Sequence, residues 1–97
     1  MAKYVFAFRN RSDATADDSV DAAWAAWFAQ LGDTVADFGQ RVGAARMVGD
    51  AAPAGANVLS GYIVVNAGSF DDAIALAQGC PGLKSGGQVE VGETVPM

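Results

Sequence analysis

The sequence predicts an α+β domain in which two helices lie on one face of an antiparallel sheet. Three observations carry this expectation. Two segments repeat apolar residues at spacings of three and four. Four shorter segments are β-branched or aromatic, with side chains alternating between two faces. The six segments follow one another as strand, helix, strand, strand, helix, strand, with short turns rich in Gly, Pro, Asp and Ser.

The first strand is expected over Lys3 to Phe8. Tyr4, Phe6 and Phe8 fall on one side, Val5 and Ala7 on the other. Apolar residues on both sides predict a strand buried on both faces and central in its sheet. Arg9, Asn10 and Arg11 end it in solvent or at the mouth of a cleft. The polar run after Arg11 leads into the first helix. Thr15 and Asp18 stand at capping-box spacing, and Asp17, Asp18 and Asp21 suit the positive end of the helix dipole. Val20, Ala23, Trp24, Trp27, Phe28 and Leu31 form the apolar stripe, and Gly32 is placed to end the helix in the left-handed conformation.

Thr34 to Phe38 reads as the second strand, with Asp37 inside its apolar pattern. Gly39 and Gly43 bracket a turn. Ala45 to Val48 reads as a short extended piece, and Gly49 to Asn57 as a loop. Val58 to Asn66 is the clearest strand: Gly61, Ile63 and Val65 share one face, and Tyr62, Val64 and Asn66 the other. Ser69 caps the second helix, with Asp72 three residues on. Phe70, Ala73, Ile74 and Ala77 make its inner face, flanked by Leu76. Gly79 ends it and Pro81 prevents its resumption. Cys80 to Leu83 suits one more turn. Gly86 and Gly87 release a last strand, Gln88 to Val91, and the tail from Gly92 is expected to be peripheral.

This βαββαβ order is the pattern of a ferredoxin-like split βαβ domain. Helices cover one face of such a sheet. In a chain of 97 residues nothing remains to cover the other. Its apolar side chains then need a partner, and a second copy stacked sheet to sheet is the economical answer.

Composition narrows the partners. The chain is one domain, residues 1–97, with a net charge of -5 and six basic residues. That argues against nucleic acid and against anionic membranes. A single cysteine, Cys80, allows no internal disulfide, and a reducing cytoplasm is the expected setting. No apolar run approaches the roughly 20 residues of a spanning helix, and the N-terminus lacks the apolar core of a signal peptide.

The stretch Gly61 to Val91 resembles the YCII-related family of dimeric α+β barrels. Gly61-Tyr62 opens the matching strand. Ala67 and Ser69-Phe70-Asp71-Asp72-Ala73-Ile74-Ala75-Leu76-Ala77 follow across the turn and helix, and Gly79-Cys80-Pro81, Gly86-Gly87 and Val89-Glu90-Val91 complete the match. Trp24 and Trp27 fall where members often carry a Trp. The resemblance implies a ferredoxin-like fold and a barrel formed by two sheets across a homodimer. It implies no reaction. A His-Asp pair found in one branch has no counterpart, because the chain has no histidine, and Asn57-Val58-Leu59-Ser60 stands where members often carry a DGPF motif.

The candidate site residues are few. Without histidine, Ser-His-Asp and Cys-His mechanisms are excluded. Cys80 follows a helix C-terminus, where the dipole opposes a thiolate, and reads as a packed core residue. The carboxylate pairs Asp17-Asp18 and Asp71-Asp72 open helices, so capping explains them, and neither a metal nor a cofactor is implied. Trp24 and Trp27 share a helix face and read as core. Arginines at strand ends suit a carboxylate or phosphate. Arg9, Arg46 and Tyr62 are the cleft candidates for a small anionic ligand, and Asp37 is the candidate acid/base.

Three functions fit. One is a homodimeric small-ligand-binding domain. A second is an isomerase- or lyase-like enzyme acting on a small acidic metabolite through Asp37. The third is a structural or protein-interaction module.

Overall fold

The computed structural model describes residues 2–11, 18–45, 48–49 and 57–96. Strand β1 spans Ala2–Arg11, helix α1 Asp18–Leu31, β2 Val35–Arg41, β3 Asn57–Ala67, α2 Phe70–Ala77 and β4 Gln88–Glu93. Short 3-10 turns, Gly32–Thr34 and Pro81–Ser85, follow the two helices. The cap expected at Thr15, the inner part of the extended piece Ala45 to Val48, and most of the Gly49 to Asn57 loop lie outside the described residues.

The four strands form one antiparallel sheet in the order β2-β3-β1-β4. The architecture is α+β and compatible with a ferredoxin-like fold. Central position follows from pattern: β1 and β3 carry the longest runs of β-branched and aromatic residues, and each has a neighbour on both sides. β1 is buried on one face only, however. Tyr4, Phe6 and Phe8 are buried, whereas Val5 and Ala7 stay half-buried, because both helices pack on the other side.

The core lies between that face and the helices. Tyr4, Phe6 and Phe8 of β1 join Ile63, Val65 and Ala67 of β3 beneath Trp27, Leu31, Ala73, Ala77 and Cys80. Rings form its centre. Trp27 stacks on Phe6 at 6.4 Å between centroids and meets Phe8 edge-on at 5.8 Å. Trp24 meets Phe8 edge-on at 5.0 Å. Such pairs contribute about 0.5–1.5 kcal/mol beyond their buried area. Both tryptophans are therefore packing residues, as their spacing suggested. Ala23 departs from the predicted stripe and is exposed.

Two glycines have different physical roles. Gly32 takes φ +50 after α1, the expected left-handed end. Gly79 does not take a positive φ. α2 ends at Ala77 and tightens into 3-10 geometry, with the Gly79 N–H donating to the Leu76 carbonyl at 3.2 Å. Gly79 is small for a different reason: a Cβ there would lie 3.0 Å from Trp27 Nε1. The start of α2 follows its sequence, with the Asp72 N–H donating to Ser69 Oγ at 3.1 Å.

Three register slips shape the sheet. Between Phe8 and Arg9 the β1–β3 register slips at Ser60. The Ser60 hydroxyl donates to the Phe8 carbonyl and accepts from Asn10 Nδ2, both at 3.2 Å, which satisfies the groups that the slip leaves over. On β2 the register slips twice, around Asp37 and before Gln40. The strand also runs to Arg41, beyond its predicted end at Phe38. At the other end of the sheet β4 reaches Glu93, and the Thr94 N–H still bonds the Lys3 carbonyl at 3.0 Å, so the tail begins as part of the sheet.

Candidate functional site

Strand register gathers three of the four candidate residues on one sheet face, which carries no helix among the described residues and is called the helix-free face below. Tyr62 of β3 sits between Ala7 of β1 and Gln40 of β2. Asp37 pairs with Val64, the next residue of β3 on that face, and Arg9 lies two residues beyond Ala7 on β1. Arg46 lies outside the described residues.

The face has a graded composition. Val5, Ala7, Tyr62 and Val64 form its middle, partly exposed, with Tyr62 at 38%. Around them stand Lys3, Arg9, Leu59, Asn66, Asp37, Gln40, Gln88 and Glu90. Arg9 Nη2 meets Glu90 Oε1 at 3.4 Å, a long single contact across the β1–β4 diagonal. An exposed pair of this kind contributes about 0–1 kcal/mol. Among the described residues it leaves most of the guanidinium donors without a carboxylate.

Asp37 is exposed on an edge strand, and its Oδ1 accepts the Gly39 N–H at 2.7 Å. That bond closes the turn at the second slip, where Gly39 takes φ +60. A Cβ at Gly39 would collide with the Tyr62 carbonyl oxygen and lie 2.8 Å from Tyr62 Cδ2. Asp37 thus has a local structural partner and is not enclosed in a cavity. The position of Asp37 inside an apolar strand pattern, which marked it in the sequence, reflects the irregular register of an edge strand.

A second concavity lies on the helix side, between α2, the Pro81–Ser85 turn and β4. It has a volume of about 380 Å³ and is lined by Phe70, Ile74, Ala77, Leu83, Val89 and Val91, with Gln78 as its polar member. Phe70 and Ile74 were expected on the inner face of α2. Instead they are partly exposed at the groove, because the eight-residue helix presents Ala73 and Ala77 to the sheet. Their four-residue separation is the one sequence signal of this groove, and it reads equally as core.

Among the described residues two ionisable side chains are perturbed. Burial, then the charge and hydrogen bond of Glu93, then Asp72, push the Tyr4 phenol above its ordinary value; its hydroxyl donates to Glu93 Oε2 at 3.4 Å. Burial likewise pushes the Cys80 thiol up, against the opposing backbone N–H groups of Gly82 and Leu83. A buried thiol with a raised pKa is a poor nucleophile. Among the described residues no three His, Cys, Asp or Glu side chains gather as a metal-ligand set, and no helix is long and apolar enough to cross a membrane.

No family model matches the chain, and neither curated proteins nor solved structures give a match.

Proposed function

We propose that the protein is a homodimeric small-ligand-binding domain of the dimeric α+β barrel type, similar to YCII-related proteins, with no reaction assigned to it. The observation that carries this reading is the helix-free sheet face. It has an apolar middle and a polar, charged rim, which is the anatomy of a protein interface rather than of a solvated surface. A second copy stacked on it would bury Val5, Ala7, Tyr62 and Val64. The ligand is a small anion, with Arg9, Arg46 and Tyr62 as the candidate binding residues. The hydrogen bond of Asp37 to Gly39 favours binding over an acid/base role for that carboxylate.

Sedimentation at micromolar concentration tests the dimer, and a stable monomer of 9.9 kDa would overturn it. Thermal-shift screening of small carboxylic and phosphorylated acids on the wild type and on Arg9→Gln tests the ligand. The expected result is stabilisation of the wild type that weakens in Arg9→Gln. No shift with any acid removes the ligand half of the reading and leaves an interaction module.

A further inference from the structure

The two edges of the sheet differ. β2 slips twice against β3, and an irregular edge of this kind resists pairing with another strand. β4 runs along β1 without a slip over all six of its residues and contains neither proline nor lysine. The Thr94 N–H bonds the Lys3 carbonyl, which makes Lys3 and Thr94 a hydrogen-bonded pair. Alternation along the antiparallel ladder gives the same role to Gly92 and Glu90. Val89, Val91 and Glu93 therefore turn their N–H and C=O groups away from β1. Among the described residues no strand lies on that side.

The apolar groove opens along this edge. Val89 and Val91 form one wall, Phe70 and Ile74 of α2 another, and Leu83 of the Pro81–Ser85 turn closes one end. Phe70, Ile74 and Leu83 are each about two-fifths exposed. A strand laid against β4 would direct every second side chain into this groove, because alternate residues share a face.

Charge decides the occupant. The three elements that bound the groove carry Asp71, Asp72, Glu90 and Glu93 against one cation, Lys84. After burial, Glu93 and then Asp72 push the Tyr4 phenol up, and the Tyr4 ring meets Phe70 at 5.5 Å, so two of these carboxylates stand at the Phe70 end. A second copy paired edge to edge would bring like charges together, which is unfavourable across strands and across interfaces. A strand bearing lysine or arginine is complementary.

We propose that β4 and the adjoining groove bind an extended basic segment of another protein by antiparallel strand addition, with apolar residues at alternate positions against Phe70, Ile74 and Leu83 and cations between them facing Glu90. Antiparallel pairing is the pattern throughout this sheet. The edge is distinct from the helix-free face, so the proposal applies to a monomer and to a stacked dimer alike.

Fluorescence anisotropy with a labelled, end-blocked peptide Lys-Val-Lys-Val-Lys-Val, as long as β4, tests this. The peptide is expected to bind, and Glu-Val-Glu-Val-Glu-Val is not. In the added strand the valine nitrogens face β4 and the lysine nitrogens face away. Methylating the valine nitrogens is expected to weaken binding by about tenfold or more, whereas methylating the lysine nitrogens changes it by less than about twofold. Ile74→Gln weakens binding by roughly tenfold. Val91→Pro, which removes an outward N–H and leaves the β1 ladder intact, does the same. Failure of the lysine peptide to bind overturns the proposal, and so does equal binding of the two methylated forms. The second result would make the groove a side-chain pocket for a small apolar molecule. An assembly of wild type that Val91→Pro breaks apart would assign the edge to a second copy and overturn the proposal too. The methylated peptides keep the test decisive if either variant fails to fold. Sedimentation of the wild type as a monomer defeats the homodimer reading and leaves these peptide outcomes unchanged.

Discussion

Gly39 is the position where backbone geometry and the helix-free face meet, and replacing it by alanine gives a sharp expectation. The residue sits at φ +60, and an added Cβ collides with the Tyr62 carbonyl oxygen. The left-handed backbone alone costs an L-residue about 1–2 kcal/mol. Relieving the overlap must displace backbone of the central strand β3 rather than a flexible side-chain end, adding about 1–3 kcal/mol on the scale of overpacked sites. Gly39→Ala is therefore expected to destabilise by about 2–5 kcal/mol, a large share of the ~5–15 kcal/mol that holds a typical domain folded. Gly43→Ala is the matched control, since a Cβ there meets nothing within 4 Å and φ is not positive. Urea unfolding at one protein concentration reads both, because a homodimer links stability to concentration. With m about 1 kcal/mol/M, the midpoint of Gly39→Ala drops by about 2 M or more while Gly43→Ala stays near wild type. Equal midpoints for the two variants would refute the close approach of β2 to β3 and, with it, the Asp37–Gly39 turn.

Other expectations follow from the core and the caps. Trp27→Ala removes the ring that touches Phe6 and Phe8 and is expected to cost about 3–5 kcal/mol, with loss of near-ultraviolet dichroism; Trp24→Ala, less buried, costs less by the same assay. Ser69→Ala deletes the acceptor of the Asp72 N–H and lowers stability by about 1 kcal/mol in urea unfolding, whereas Ser69→Asp retains it. Cys80 and Tyr4 both have raised folded pKa values, so each contributes stability that is full below its unfolded value, 9.0 and 10.0, and is lost as pH rises through the folded one. The expected result is falling stability above about pH 9, with a shallower alkaline slope in Cys80→Ala. Cys80 is also expected to resist alkylation until the chain unfolds; rapid labelling of the native protein would contradict its burial.

Periodicity alone determined the element types and their order. Ile63 and Val65 against Tyr62 and Val64, and Trp24, Trp27, Phe28 and Leu31 along α1, are local patterns that a chain obeys wherever it is packed, because alternation and the helical repeat are properties of the backbone. Ser69 and Gly32 were legible for the same reason: a cap acts on its own neighbours. Long-range contact decided the rest. Gly79 is a glycine because Trp27, 52 positions earlier in the chain, lies against it. Asp37 is exposed and accepts the Gly39 N–H because β2 slips against β3, which its place in an apolar pattern did not reveal. Phe70 and Ile74 line a groove because α2 is short enough to lean on alanines. Arg9, Tyr62 and Asp37 share a face because β1, β2 and β3 align in register, and no local pattern carries that alignment.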